Sequence, residues 1–493
     1  MKQYQKMRYL GVWGLLLAWA VVLPAGAVPS GESAIPPGGC SGFCADTPVA
    51  LTTDDVRRVI AQAVHEAQAR RVRATVAVVD RVGNVLGVFR TADGEDFPLV
   101  TIDSGRNPPV EGGLEGKAVI PDTLAAIAKA ITGAYLSSEG NAFTTRTASQ
   151  IIQQHFNPGE LNQVGGPLFG VQFSQLPCSD LSARFTAGAG VGFGPKRSPL
   201  GLAADSGGLP LYKNGTPVGA VGVISDGIYG LDLLITDSDR DIDELIAVAG
   251  TFGYAAPKDR RANRITADGK TLRFSDVDMQ HLAVSPEQAP TLESYINSSV
   301  GRLVPVTHYF DGAILAGTAF GQAASGIVPA EWVNPGLFTG LDAFVLVNDQ
   351  GKNRYPPIAG TDGLLTATEV TVMLQEALAV ANHSRAQIRR PTGSPARVTI
   401  SVVDSAGSVL GLVRTRDAPV FGIDVSLQKA RSALFFSHPE AATELSNAPE
   451  VIFRDDQAMP TGQTLSLATY VEQARAFFGP DALTGNIAMT ETS

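Results

Sequence analysis

Charge is scarce in this chain. Asp, Glu, Lys and Arg together make up 17% of 493 residues, and the formal net charge is −10. Beyond the extreme N-terminus there is no run of Lys or Arg, so the clustered basic footprint of a nucleic-acid binder is missing and nucleic acid is excluded as a partner. Cysteine is nearly absent. Cys40 and Cys44 can pair in an oxidising compartment, and Cys178 is left over. Cys40 lies well past the first apolar run, after Pro-Gly-Gly, which argues against a lipid-anchored cysteine. After that run no stretch is long and apolar enough to span a bilayer. No Ser-His-Asp arrangement, phosphate-binding Walker loop or paired-histidine metal motif is recognisable. What remains is an ordinary globular composition, 44% hydrophobic, over a length that predicts two or three domains.

The N-terminus reads as a targeting signal. Lys2, Lys6 and Arg8 precede an apolar run from Leu10 to Leu23, and Pro24-Ala25-Gly26-Ala27 offers a small-x-small cleavage pattern. The run is short for a spanning helix, which needs about 20 residues. The expectation is a signal peptide over 1–27, a flexible segment over 28–50, no membrane association after cleavage, and a periplasmic or extracellular mature protein.

An internal repeat organises the rest. Residues 75–91 align without a gap against 399–415, and most positions are identical, including Val78-Val79-Asp80, Gly83 and Arg90-Thr91 against Val402-Val403-Asp404, Gly407 and Arg414-Thr415. The match extends outwards, with Leu51-Thr52 and Asp55-Val56 against Leu365-Thr366 and Glu369-Val370, and Lys129-Ala130 against Lys429-Ala430. Thr52-x-x-Asp55 and Thr366-x-x-Glu369 are capping boxes opening amphipathic helices. Each is followed by two β-branched strands around an Asp-x-x-Gly turn, in which glycine takes positive φ without steric cost. A second helix follows around Asp122 to Leu136 and its counterpart around Asp424 to Phe436.

The first copy continues with two strands around Asn214-Gly215 and a helix from about Asp241 to Gly250. The second copy ends without a Gly-Gly-x-Pro or Gly-x-x-Gly counterpart and reads as incomplete. The expected fold is α/β in the α+β sense: a mostly antiparallel sheet with helices packed on it, in two tandem related modules. The first module spans 51–289 with loop insertions, 290–362 is a connecting segment, and 363–493 is a second, partial module. A partial sheet has an exposed edge, so the first copy or another subunit is expected to cover it.

The ordered set of helix, Val-Val-Asp-x-x-Gly-x-x-Leu-x-x-x-Arg, Lys-Ala, Gly-Gly-x-Pro and Gly-x-x-Gly-Val resembles the GlcG/HbpS-like family. The resemblance runs from about Leu51 to Gly253 and again, in part, from Leu365 to the end. It implies a compact module that assembles into homo-oligomers and binds haem non-covalently, often outside the cytoplasm. C-S-G-F-C is not C-x-x-C-H, so covalent haem attachment is not supported.

Haem asks for an apolar slot, cations for its propionates and, optionally, an axial ligand. Arg90, Arg414, Lys129 and Lys429 match the family's arginine and lysine and are candidates for the propionates. The alternative for Arg90 is an internal salt bridge with Asp80 or Asp122. Gly219 and Gly222 allow close approach, either of a ligand or of a packed helix; Gly208 and Pro210 set a turn at the mouth of the same region. For the axial position, His65 on the first helix and Thr132 are candidates, while His155, His281, His308, His383 and His438 do not recur between the copies. The acidic cluster from Asp237 to Glu244 lacks the glycine of a calcium loop, since Ile242 stands there, and reads as a helix N-terminus. The leading reading is an exported haem carrier, scavenger or redox-sensing accessory. The rivals are an enzyme of small organic acids or of haem breakdown, and a structural module with a decayed site.

Overall fold

The computed structural model describes residues 49–91, 98–103, 114–152, 166–168, 193–235, 237–267, 269–454 and 460–485, all within one compact unit, Pro36–Ser493. The segment expected to be a signal peptide, the three cysteines and His155 lie outside the described residues. Among the described residues no helix is long and apolar enough to cross a membrane.

The first module opens with helix α1 (Thr53–Arg70). Its capping box is formed: Asp55 N donates to Thr52 Oγ1 and the Thr52 backbone N–H donates back to Asp55. Strands β1 (Thr75–Asp80) and β2 (Val85–Thr91) form the expected hairpin. Helix α2 (Asp122–Leu136) follows, then strands β3 (Gly208–Lys213) and β4 (Thr216–Ile224) and helix α4, once α3 (Thr145–Ile151) is counted, over Ile242–Gly250. Strand residues alternate between faces. Val76 and Val78 pack with Val59 of α1 and Ile246 of α4, whereas Ala77 and Val79 pack with Ile127 and Ala130 of α2. Helices therefore cover both faces, and every residue of β1 is buried.

The segment expected to be a connector is part of both sheets. Strand β5 (Gly301–Leu303) pairs with β2, giving the order β5-β2-β1-β4-β3. Strands β6 (Ile327–Pro329) and β7 (Phe344–Leu346) extend the second sheet. That sheet lies against helix α5 (Ala367–His383) and contains β8 (Thr399–Val403) and β9 (Val409–Arg414), in the order β6-β7-β9-β8. All these neighbours are antiparallel. A small side sheet contains one parallel pair, Leu99–Asp103 with Ile228–Gly230.

The two hairpins share one geometry. Thr75 faces Arg90 and Thr399 faces Arg414, and the register shifts at equivalent points, Val78/Val79 and Val402/Val403. Asp80 accepts from the backbone of Val82 and Asn84 and from Thr318 Oγ1; Asp404 accepts from Ala406, Ser408 and Thr361 in the same way. The aspartate common to both copies thus ties down the turn, and Gly83 (φ 82) and Gly407 (φ 76) supply the left-handed residue.

The modules differ beyond helix α6 (Gly422–Phe436). Helix α7 (Ala441–Asn447), strands β10 (Val451–Arg454) and β11 (Pro460–Leu465) and helix α8 (Leu467–Phe478) repeat the element order of the first module. The β10–β11 hairpin forms its own two-stranded sheet, however, and among the described residues β8 has no neighbour on the side where β1 pairs with β4. Every residue of β8 is only half-buried. The space beside β8 is where the candidate site lies.

Candidate functional site

In the first module the residues singled out from sequence are packed into the fold. Lys129 is fully buried on α2; its Nζ donates to Asp243 Oδ2 at 2.6 Å and pairs with Asp205. Burial alone would pull this lysine down, but Asp205, Asp243 and Asp241 hold its proton and place it above the ordinary lysine range. Arg90 resolves in favour of Asp122: Nε donates to Oδ2 at 2.9 Å and Nη2 pairs with Oδ1, with Thr75 Oγ1 donating to the same carboxylate. Asp80 is committed to its turn. Thr132 Oγ1 donates to Ala128 O and accepts from Ala203 N, so its hydroxyl is satisfied within the protein.

The glycines serve close packing. A Cβ on Gly222 would lie 2.1 Å from Ala126 O, one on Gly208 2.4 Å from Lys129 O, and one on Gly219 2.0 Å from Val79 O. Gly208 and Pro210 are residues of β3 rather than of a turn. Gly222→Ala should therefore push α2 off the sheet and lower the unfolding free energy by roughly 1–3 kcal/mol, the usual cost of overpacking, as read in urea unfolding. His65 Nδ1 is 3.0 Å from the Tyr295 hydroxyl, a contact between α1 and the helix at Leu292–Asn297.

In the second module the equivalent lysine has a different setting. Lys429 is exposed on α6, and no carboxylate is paired with it among the described residues. It stands on the rim of a cleft of about 410 Å³ between the vacant side of β8 and the first module. That volume lies within the range of small-molecule and cofactor sites. One wall comes from Val398, Thr399, Phe421 and Val425, and the facing wall from Leu136, Phe143, Ile151, Leu168, Ile265 and Leu272. The apolar character follows from the missing sheet neighbours. The α6 face that carries Gly422, Val425, Ser426 and Lys429 corresponds to the α2 face that β4 covers in the first module.

Three buried donors near this region have no hydrogen-bond partner among the described residues: Thr399 Oγ1, which lines the cleft, and Nε and Nη1 of Arg414, which stands opposite Thr399 in the strand register without lining the cleft itself. Arg414 is 0% exposed. Its Nη2 donates to Ala418 O. Burial, reinforced by the nearby Arg81, pulls Arg414 down to about 9. The adjoining carboxylate, Asp417, is engaged elsewhere: it pairs with Arg81 at 2.6 Å and with Arg389, and accepts from the Glu139 backbone N–H. Glu139 in turn receives Arg416 through both carboxylate oxygens, at 2.8 and 2.5 Å. These pairs join the two modules behind the cleft.

Sequence reasoning missed Thr399 and Gly422, which line the cleft. A signal for Gly422 existed. Asp424 looks like the counterpart of Asp122, but aligning Lys129 with Lys429 places Gly422 there, at the first residue of a helix of the same 15-residue length.

The fold and the cleft define a two-module sheet-and-helix protein with a ligand-sized, largely apolar cavity beside the open edge of its second sheet. Residues 372–478, within the second module, match the family described as haem degrading protein HbpS-like. Similar solved structures include a PduOC–haem complex (18% identity over 41% of this chain and 94% of that one, TM-score 0.22). Others are the Klebsiella pneumoniae protein ORFY (19%, 42% and 92%, TM-score 0.23) and an HbpS double mutant from Streptomyces reticuli (18%, 47% and 98%, TM-score 0.21). No curated protein matches the chain.

Proposed function

We propose that this protein binds haem, non-covalently, in the cleft beside β8, and serves outside the cytoplasm as a carrier, scavenger or redox-sensing accessory. The observation that carries this reading is the apolar cleft with the exposed ammonium of Lys429 on its rim; Lys429 and one wall of the cleft belong to the segment that matches a haem-related family. The walls suit the flat apolar face of a porphyrin, and Lys429 suits a propionate. No histidine, cysteine or methionine lines the cleft among the described residues, so the fit is to the porphyrin and its acids rather than to the iron. Haem bound there would supply redox chemistry; the chain's part is to shield one face and hold the acidic edge. The N-terminal basic and apolar pattern supports export, and the family resemblance supports assembly into homo-oligomers. The first module acts as the scaffold in this reading, because its Arg90 and Lys129 are spent on internal carboxylates.

Titration of the purified protein with haem should give a saturable Soret shift. Lys429→Ala should weaken binding by roughly twofold to fivefold, the range of a solvent-exposed charge pair. No shift at micromolar haem would sink the reading.

A further inference from the structure

In the first module a single carboxylate closes the junction of sheet and helix. Asp122 receives Thr75 Oγ1 at 2.5 Å, Arg90 Nε at 2.9 Å, the second Arg90 nitrogen Nη2, and the backbone N–H of Thr123 at 2.6 Å. In the second module the same donors recur in the same register, Thr399 opposite Arg414, but the helix begins with Gly422. A Cβ on Gly422 would stand 3.5 Å from Thr399 Oγ1 with no atom nearer, and its backbone is not left-handed. An aspartate there would thus point at the threonine as Asp122 does. The Asp122 equivalent is missing and its donors remain: among the described residues Thr399 Oγ1 and Arg414 Nε and Nη1 have no hydrogen-bond partner although they are buried. A buried guanidinium without a carboxylate of its own is costly: Arg414 has the Ala418 carbonyl, the Phe320 ring 5.9 Å away and the field of Asp417, but Asp417 is bonded to Arg81 and Arg389.

We propose that the second module binds the carboxylate of an apolar molecule in the place left over Gly422, between Thr399 and Arg414, with the apolar body lying in the cleft. Thr399 and Gly422 both line that cleft, and Arg414 stands directly opposite Thr399 in the strand register. Lys429 lies two helical turns further along α6, about 10 Å at 1.5 Å per residue, where it meets a second acidic group. The site thus selects a flat or extended apolar acid. Under the haem reading, on which this inference rests for the ligand's identity, one propionate occupies the Asp122-like position and the other faces Lys429.

The test uses three probes on the full chain: haem, haem dimethyl ester and decanoate. Haem should bind at least tenfold more tightly than its ester, since a hydrogen-bonded ionic contact is at stake. Gly422→Asp should raise the melting temperature, by supplying the missing carboxylate from within, and should weaken haem binding roughly tenfold to a hundredfold. Equal affinity for haem and its ester, with Gly422→Asp binding haem like the wild type, overturns the pocket while leaving haem binding intact. No haem signal, with decanoate raising the melting temperature of the wild type but not of Gly422→Asp, upholds the pocket and removes haem as its ligand. Failure of all three probes overturns the inference. Should Gly422→Asp fail to fold, the comparison of haem with its ester on the wild type decides alone.

Discussion

Replacing Asp417 with alanine is expected to lower the unfolding free energy by roughly 3–5 kcal/mol, the range for removing one partner of a buried ion pair. Asp417 is 1% exposed and sits where the modules meet. Its loss leaves Arg81, Arg389 and the Glu139 N–H without their acceptor. It also adds to the unbalanced positive charge that already includes Arg414. Measured by urea unfolding, the effect carries a pH signature. Burial pushes the Asp417 carboxyl up, but Arg389, Arg81 and Arg416 outweigh it and hold the group at about 2, below its ordinary 3.8. A carboxyl depressed in the folded state stabilises fully above its unfolded value. That stabilisation is lost as pH falls through the folded one. The gap between wild type and Asp417→Ala should therefore be constant near neutrality and narrow as pH falls from about 4 towards 2. A gap under 1 kcal/mol at neutral pH would show that the junction does not depend on this carboxylate.

Lys129→Met should be destabilising on the same scale, roughly 3–5 kcal/mol, without weakening haem binding. The ammonium is fully buried and neutralises Asp205 and Asp243, so its removal leaves two adjacent buried carboxyls. In the variant, burial raises both carboxyls above their unfolded values with no cation to oppose it. Groups raised in the folded state stabilise it only while protonated, so the deficit should grow as pH rises and shrink in mild acid. Chemical denaturation from pH 5 to 8 would check this, beside a haem titration. A loss of haem affinity in a variant that melts like the wild type would instead place Lys129 at the ligand.

Arg90 and the two lysines mark how far the sequence can be read. Arg90 and Lys129 were legible as cations at the right places in the repeat, and Asp122 was one of two partners open to Arg90. The roles of Lys129 and Lys429 could not be separated, because the residues themselves are the same. What separates them is whether β4 and β3 lie over the helix, and that depends on contacts between positions far apart in the chain. The glycines were clearer: Gly222 falls where α2 crosses β4, and a packed helix was one of the two reasons open for it. The strands at Ile327–Pro329 and Phe344–Leu346 are only three residues each. They carry too little periodicity to be recognised in a stretch that reads as a connector.

By itself the sequence determined the repeated helix–hairpin–helix unit, its capping boxes and its Asp-x-x-Gly turns. All of these are set by neighbours a few residues apart, through local hydrogen bonds and backbone sterics. Only the tertiary structure decided which copy has its cations neutralised, that the connector joins both sheets, and that a cleft opens beside β8. Each of those outcomes turns on whether a distant segment fills a given volume, and burial and charge compensation respond to that filling rather than to residue type.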